Sequence, residues 1–320
     1  MQKNEFSIKD SSLAFILAIV LPNILALIIF MIVGNFIDLK ILETTTFYKI
    51  FTTILSPISF ILVFLFISLK SKVNIKAVKT EKMNFVSVLT IIVISFACLF
   101  LISPIINVYD SFLTSIGVKE QTLPISLDSP LKLIYLIFSL GILAPISEEF
   151  VFRGIIFSGL KEKGLKNAVL ISSLLFMLMH LSLHQTIYQF LLGIVLAMIY
   201  YYTQNIFASI LVHFINNTFV LLINYFSPSF FDYRFLTVNY IILALVLFVV
   251  GVIIIYNLLR VLKHKNENKY KNSGFTNKVI ETNNQAKNQT TNQARTKSLY
   301  LPISLIFGVL MWIISVVSLI

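Results

Sequence analysis

Apolar residues fall along this chain in runs of roughly twenty, separated by short polar stretches. A helix of about 20 residues crosses the roughly 30 Å of bilayer hydrocarbon. Runs at 13–36, 48–69, 84–108, 131–159, 167–182, 185–203, 206–226, 236–259 and 300–320 predict an all-α, polytopic bundle of about nine transmembrane helices. The fourth run is unusually long and the fifth short, so tilts or breaks are expected there. The first run extends from Leu13 to Phe36, too long for the apolar part of a cleaved signal peptide. No internal repeat of 20 to 50 residues is visible.

One stretch departs from this pattern. Residues 261–299 are rich in Asn, Gln and Lys and poor in apolar side chains. Such a segment buries too little surface to offset its ordering entropy, so it reads as a disordered tether with some attraction to anionic lipid headgroups. The chain therefore divides into an eight-span core (1–260), a basic tether (261–299) and an additional C-terminal helix (300–320). Tether and last helix hold no ionisable group within an apolar run, and are expected to be dispensable for chemistry.

Composition agrees with the pattern: 58% of residues are hydrophobic and 12% charged, about half the charged share of a soluble domain. The net charge of +11 suggests nucleic acid at first sight, but its distribution argues against that partner. With the N-terminus inside, the inner loops hold 19 Lys and Arg and the outer loops 5, namely Lys40, Lys49, Lys119, Lys132 and Arg234. Dropping the eight in 261–299 still leaves 11 against 5, so the N-terminus and the tether are expected to be cytoplasmic. The single cysteine, Cys98, forms no internal disulfide and is silent about compartment.

Ionisable side chains inside apolar runs are expensive, and each marks a functional hypothesis. Here they are Glu148, Glu149, Arg153, His180 and His213, with Asn216 and Asn217 as neutral companions and His184 near a span end. In the first cluster, Glu149 and Arg153 stand at i and i+4 and can pair on one helix face. Glu148 projects about 100° away and has Phe152 at its own i+4 position. Pro145, just before the carboxylates, removes a backbone donor and is expected to kink the helix. In the second cluster Phe176 precedes His180 by one turn. His184 follows by another, which leaves a two-histidine metal pair conceivable. In the third, His213 and Asn217 share a face. Each cluster alone also reads structurally: an ion pair locking helices, a packed histidine, an interhelical hydrogen bond.

Together, Glu-Glu-x-x-x-Arg, Phe-x-x-x-His and His-x-x-x-Asn on successive membrane helices resemble the CAAX prenyl protease and bacteriocin-processing (CPBP, or Abi) family of intramembrane endopeptidases. The resemblance covers about residues 131–226 and fills each motif position. It implies functional roles for Glu148, Glu149, Arg153, His180, His213 and Asn217, and none for His184, Asn216 or the last helix. On this reading Glu148 is the general base for a water nucleophile, His180 orients that water, and His213 and Asn217 donate to the oxyanion. Glu149 and Arg153 hold Glu148 in register. Ser147 has no recognisable base partner.

The family is often labelled metalloprotease, which would make Glu148, His180 and His213 candidate zinc ligands. A metal-free mechanism is preferred, because no His-Glu-x-x-His spacing is present and Asn is a poor zinc ligand. The expected substrate is a membrane-anchored protein or hydrophobic peptide. Prenylated proteins, bacteriocin or pheromone precursors and self-immunity all remain open. The Ile, Lys and Asn content suggests an AT-rich bacterial genome. Two other classes stay in view: a catalytically silent scaffold or immunity protein, and a transporter, against which the confinement of charge to one stretch argues.

Overall fold

A computed structural model describes residues 5–36, 46–119, 125–227, 237–272 and 299–317. Among these residues the chain is a helical bundle, with an isolated bridge between Thr80 and Asn205. The helices are α1 (Ile8–Val33), α2 (Thr46–Ser71), α3 (Phe85–Ser115), α4 (Pro130–Lys163), α5 (Leu165–Met179), α6 (Thr186–Thr203), α7 (Ile206–Phe226), α8 (Val238–Asn272) and α9 (Tyr300–Val317). Eight are long and apolar enough to cross a membrane; α5, with 15 residues, is shorter. At 1.5 Å per residue it reaches only about 22 Å. This is the helix that the sequence predicts to be short: it ends at Met179, and Leu181 turns into the left-handed region at φ 48°.

Polar side chains set the helix ends. Ser7 and Asp10 form a capping box at the start of α1. Asn84, Ser129 and Asn205 accept from the backbone of the next turn at the starts of α3, α4 and α7. Gly164, at φ 86°, supplies the turn between α4 and α5 that a side chain would resist. The loop before α3 is held to the α6–α7 corner by Ile206 N–H to Lys79 O (2.9 Å), Glu81 N–H to Gln204 O (2.9 Å) and Asn205 Nδ2 to Glu81 O (2.6 Å).

Two helices change pitch. Wide turns of π geometry occur at Cys98–Ile102 in α3 and at Ile137–Leu143 and Phe150–Phe157 in α4. The first two are each followed by a proline, Pro104 and Pro145. A proline donates no amide hydrogen and its ring crowds the carbonyl four residues back. The disturbance expected at Pro145 thus takes the form of a widened turn just upstream.

The core lies between α1, α2, α4, α5, α6 and α9, where Phe15, Phe60, Phe152, Phe157 and Phe176 are fully buried. A second cluster joins α3, α6, α7 and α8 through Ile91, Leu196, Val212 and Leu259. The outer faces of α2, α8 and α9 are apolar and exposed, as a lipid-facing surface requires. Helix α8 continues to Asn272, past the point where the sequence predicts a tether; residues 273–298 of that segment lie outside the described residues. Helix α9 packs on α1 and α5, with Leu301 and Gly308 buried against them.

Candidate active site

The polar residues singled out by sequence converge where α4, α5, α6 and α7 meet. Arg153 Nη1 donates to Glu149 Oε1 at 2.9 Å, with both side chains essentially inaccessible. The same oxygen lies 3.1 Å from His213 Nδ1, so the carboxylate ties α4 to α7. Arg153 Nη2 donates to the Gly193 carbonyl on α6 at 3.1 Å. Its guanidinium also sits 4.7 Å from the centre of the Phe176 ring on α5. A buried cation and anion are tolerable only with this density of partners.

Phe176 links these groups to the second histidine. Its ring meets His180 edge-on at 4.8 Å and His213 at 5.7 Å, and Phe152 closes its far side at 5.1 Å. His180 Nδ1 lies 2.8 Å from the Phe176 carbonyl. A carbonyl only accepts, so that nitrogen carries the proton and Nε2 is left as the available atom of the neutral ring. The same logic holds for His213, whose Nδ1 faces a carboxylate. Both imidazoles are therefore anchored through Nδ1 and present Nε2.

Glu148 differs from its neighbour. Among the described residues its Oε2 is buried without a hydrogen-bond partner, and its closest charged neighbour is His213 Nε2 at 3.8 Å. That separation is too long for a direct hydrogen bond and suits a bridging water. Asn217 stands one turn beyond His213, but its Nδ2 donates to the Leu140 carbonyl in the wide turn of α4 at 2.9 Å. One of its two amide hydrogens is thus engaged.

The remaining polar residues lie apart. His184 Nδ1 is 3.2 Å from Asp110 Oδ1 and its Nε2 is 3.0 Å from the Lys119 carbonyl, so the conceivable His180–His184 metal pair is not formed. Asn216 accepts from Tyr188 Oη at 2.5 Å and donates to the Val212 carbonyl at 2.8 Å. Ser147 Oγ donates to the Ala144 carbonyl at 3.0 Å and has no base beside it, and Cys98 is buried in the second apolar cluster. The Gly193 and Leu140 carbonyls enter the arrangement without any signal in the sequence, because backbone acceptors have no side-chain signature.

The donor set fits zinc poorly. A catalytic zinc takes three protein ligands and a water. Among the described residues no three His, Cys, Asp or Glu side chains are grouped to hold a metal ion. Glu149 Oε1 already serves Arg153 and His213, and the remaining candidates, Glu148, His213 Nε2 and His180 Nε2, do not form such a group among the described residues.

Comparison with known proteins finds membrane peptidases over the same part of the chain. The family model for "Type II CAAX prenyl endopeptidase Rce1-like" matches residues 130–219. The chain is 33% identical over 112 residues to "Putative membrane peptidase YdiL" of Bacillus subtilis, a match covering 35% of this chain and 46% of that protein. It is 29% identical over 105 residues to "Membrane-embedded CAAX protease MroQ" of Staphylococcus aureus, covering 31% and 42%. The chain thus spans less than half the length of the curated relatives it matches. No solved structure gives a significant match. The chain is a multi-pass membrane protein whose residues 130–219, which include Glu148, Glu149, Arg153, His180, His213 and Asn217, match the family model of the Rce1-like CAAX prenyl endopeptidases.

Proposed function

We propose that the protein is an intramembrane endopeptidase that hydrolyses a peptide bond with water activated by Glu148. The observation that carries this reading is the contrast between two adjacent carboxylates. Glu149 Oε1 is locked by Arg153 and His213, while Glu148 Oε2 is buried without a hydrogen-bond partner among the described residues and lies 3.8 Å from His213 Nε2. A water between Glu148 and the histidines would attack the scissile carbonyl while Glu148 takes its proton. The carbon–oxygen bond forms as the carbonyl electrons move onto oxygen. His213 as the imidazolium, protonated on Nε2 as well as on the Nδ1 that faces Glu149, and the second amide hydrogen of Asn217 are the donors for that oxyanion. Glu148 then returns its proton to the departing amine as the carbon–nitrogen bond breaks. His180, presenting Nε2, orients the water. No metal enters this scheme.

The substrate is a membrane-anchored protein or hydrophobic peptide, reached from the cytoplasmic side. The excess of Lys and Arg in the loops beside Lys82 and Lys163 supports a cytoplasmic N-terminus. Comparing the membrane proteomes of cells expressing wild-type protein and Glu148→Gln tests the reading. Substrates should accumulate uncleaved in the variant. Identical proteomes at equal protein abundance would favour a silent scaffold or immunity protein.

A further inference from the structure

Leu181, the residue after His180, holds φ 48°, a region that leucine enters only under constraint. Such backbone persists where surrounding groups over-determine it. Here the constraint comes from the far end of the chain. Ser315 Oγ on α9 donates to the Leu181 carbonyl at 2.5 Å, across 134 positions of sequence.

Helix α9 is seated to make that contact. Its Gly308 lies flush against α1 and α5: a Cβ there would come within 2.8 Å of the Phe15 ring and 3.2 Å of Leu178 Cδ1. Met311 and Trp312 continue the contact toward the core, and Ser315 follows on the next turn. His180 is thus bounded on both sides. Its own amide closes the last turn of α5 onto the Met177 carbonyl at 3.2 Å, the Leu181 amide bonds the Leu178 carbonyl at 3.2 Å, and the peptide that follows Leu181 is held by Ser315.

We infer that Ser315 is a positioning residue for His180, and that α9 belongs to the working site although it lies outside the matched region. The inference rests on the reading of His180 as part of a hydrolytic site. Without the hydroxyl, the Leu181 carbonyl loses its partner and the turn relaxes toward negative φ. That relaxation rotates the peptide leaving His180 and displaces the imidazole from the Phe176 carbonyl that fixes it.

The test uses the full-length protein in lipid nanodiscs, with Ser315→Ala, Ser315→Thr, Leu181→Gly and the Ser315→Ala/Leu181→Gly pair. Carbethoxylation of His180 by diethyl pyrocarbonate, read by mass spectrometry, reports its position independently of activity, with His213 and His264 as internal references. Ser315→Ala should speed modification of His180 about fivefold, the equivalent of one hydrogen bond. It should also raise the same membrane proteins in cells as Glu148→Gln does. Ser315→Thr keeps the donor and should stay within about twofold of wild type. In the Leu181→Gly background, where φ above zero carries no steric penalty, adding Ser315→Ala should change little. The inference is overturned if Ser315→Ala leaves His180 unchanged, if threonine behaves as alanine does, or if all three histidines accelerate together. If His180 responds as expected while Glu148→Gln leaves the proteome unaltered, the positioning role stands and the hydrolytic reading fails.

Discussion

Glu149→Gln is the sharpest probe of the polar cluster, because it keeps shape and removes one charge. Glu149 Oε1 accepts from Arg153 Nη1 at 2.9 Å and from His213 Nδ1 at 3.1 Å in a site closed to solvent. Hydrogen bonds to a charged group contribute about 1.5–3 kcal/mol each, so two give about 3–6 kcal/mol. That agrees with the roughly 3–5 kcal/mol lost when a buried ion pair is broken from one side. After the change the amide oxygen at position 149 can still accept, but the Arg153 charge loses its ion-pair partner and keeps neutral contacts there, including the Gly193 carbonyl and the face of Phe176. At about 1.4 kcal/mol per factor of ten, the folded population should fall relative to the unfolded by roughly 10² to 10⁴. Thermal and denaturant unfolding in one detergent, with wild type and Glu148→Gln alongside, measures it. Glu148→Gln should unfold with the wild type, since Glu148 Oε2 has no hydrogen-bond partner to lose among the described residues. The pair Glu149→Gln/Arg153→Met, which removes both charges, should recover at least half of the loss. The reasoning fails if Glu149→Gln unfolds with the wild type, or if Glu148→Gln is destabilised as severely.

Glu148→Gln should lower cleavage by about 10²- to 10⁴-fold at unchanged abundance, the range attributed to a general base; the assay is turnover of a substrate identified by proteomics. Gly159→Ala places a Cβ 2.4 Å from the Ser7 carbonyl, so α1 must shift away from α4; a loss of about 1–3 kcal/mol should appear in the same unfolding measurement. Reporter fusions after Lys82 and within 261–299 should both read cytoplasmic, and a signal from the opposite side at either position would reverse the topology.

Much of this arrangement is legible in the chain because membrane burial makes charge conspicuous. Glu149 and Arg153 pair as their spacing predicts, and they are joined by His213, which has no other His, Lys, Arg, Asp or Glu beside it in α7. What stays hidden depends on backbone. That the fifth run is short is visible in the sequence, but the left-handed turn at Leu181 just beyond His180 is not, because the identity of that residue gives no hint of it. The engagement of Asn217 with Leu140 depends on a wide turn that a regular 3.6-residue period does not anticipate. His184 sits at the right interval from His180 for a metal pair, yet the intervening backbone leaves the helix and sends it to Asp110. Spacing rules hold only while the helix does.

The wide turns of α4 explain how the site is both rigid and polar. Four residues overshoot an α turn slightly and fall just short of a π turn, so Arg153 faces Glu149 in either geometry. The ion pair therefore survives the change of pitch at Phe150. Widened turns leave carbonyls poorly served by their own helix, and each buried one needs a partner. Here side chains supply them. Asn217 takes Leu140 O, Ser158 Oγ takes Arg153 O at 2.9 Å, and Ser11 Oγ from α1 takes Ile156 O at 3.0 Å. The carbonyls opened on either side of the two carboxylates thus become attachment points for α7 and α1. The segment carrying Glu148 is clamped above and below, and between the clamps Glu148 Oε2 is left without a hydrogen bond among the described residues, 3.8 Å from His213 Nε2.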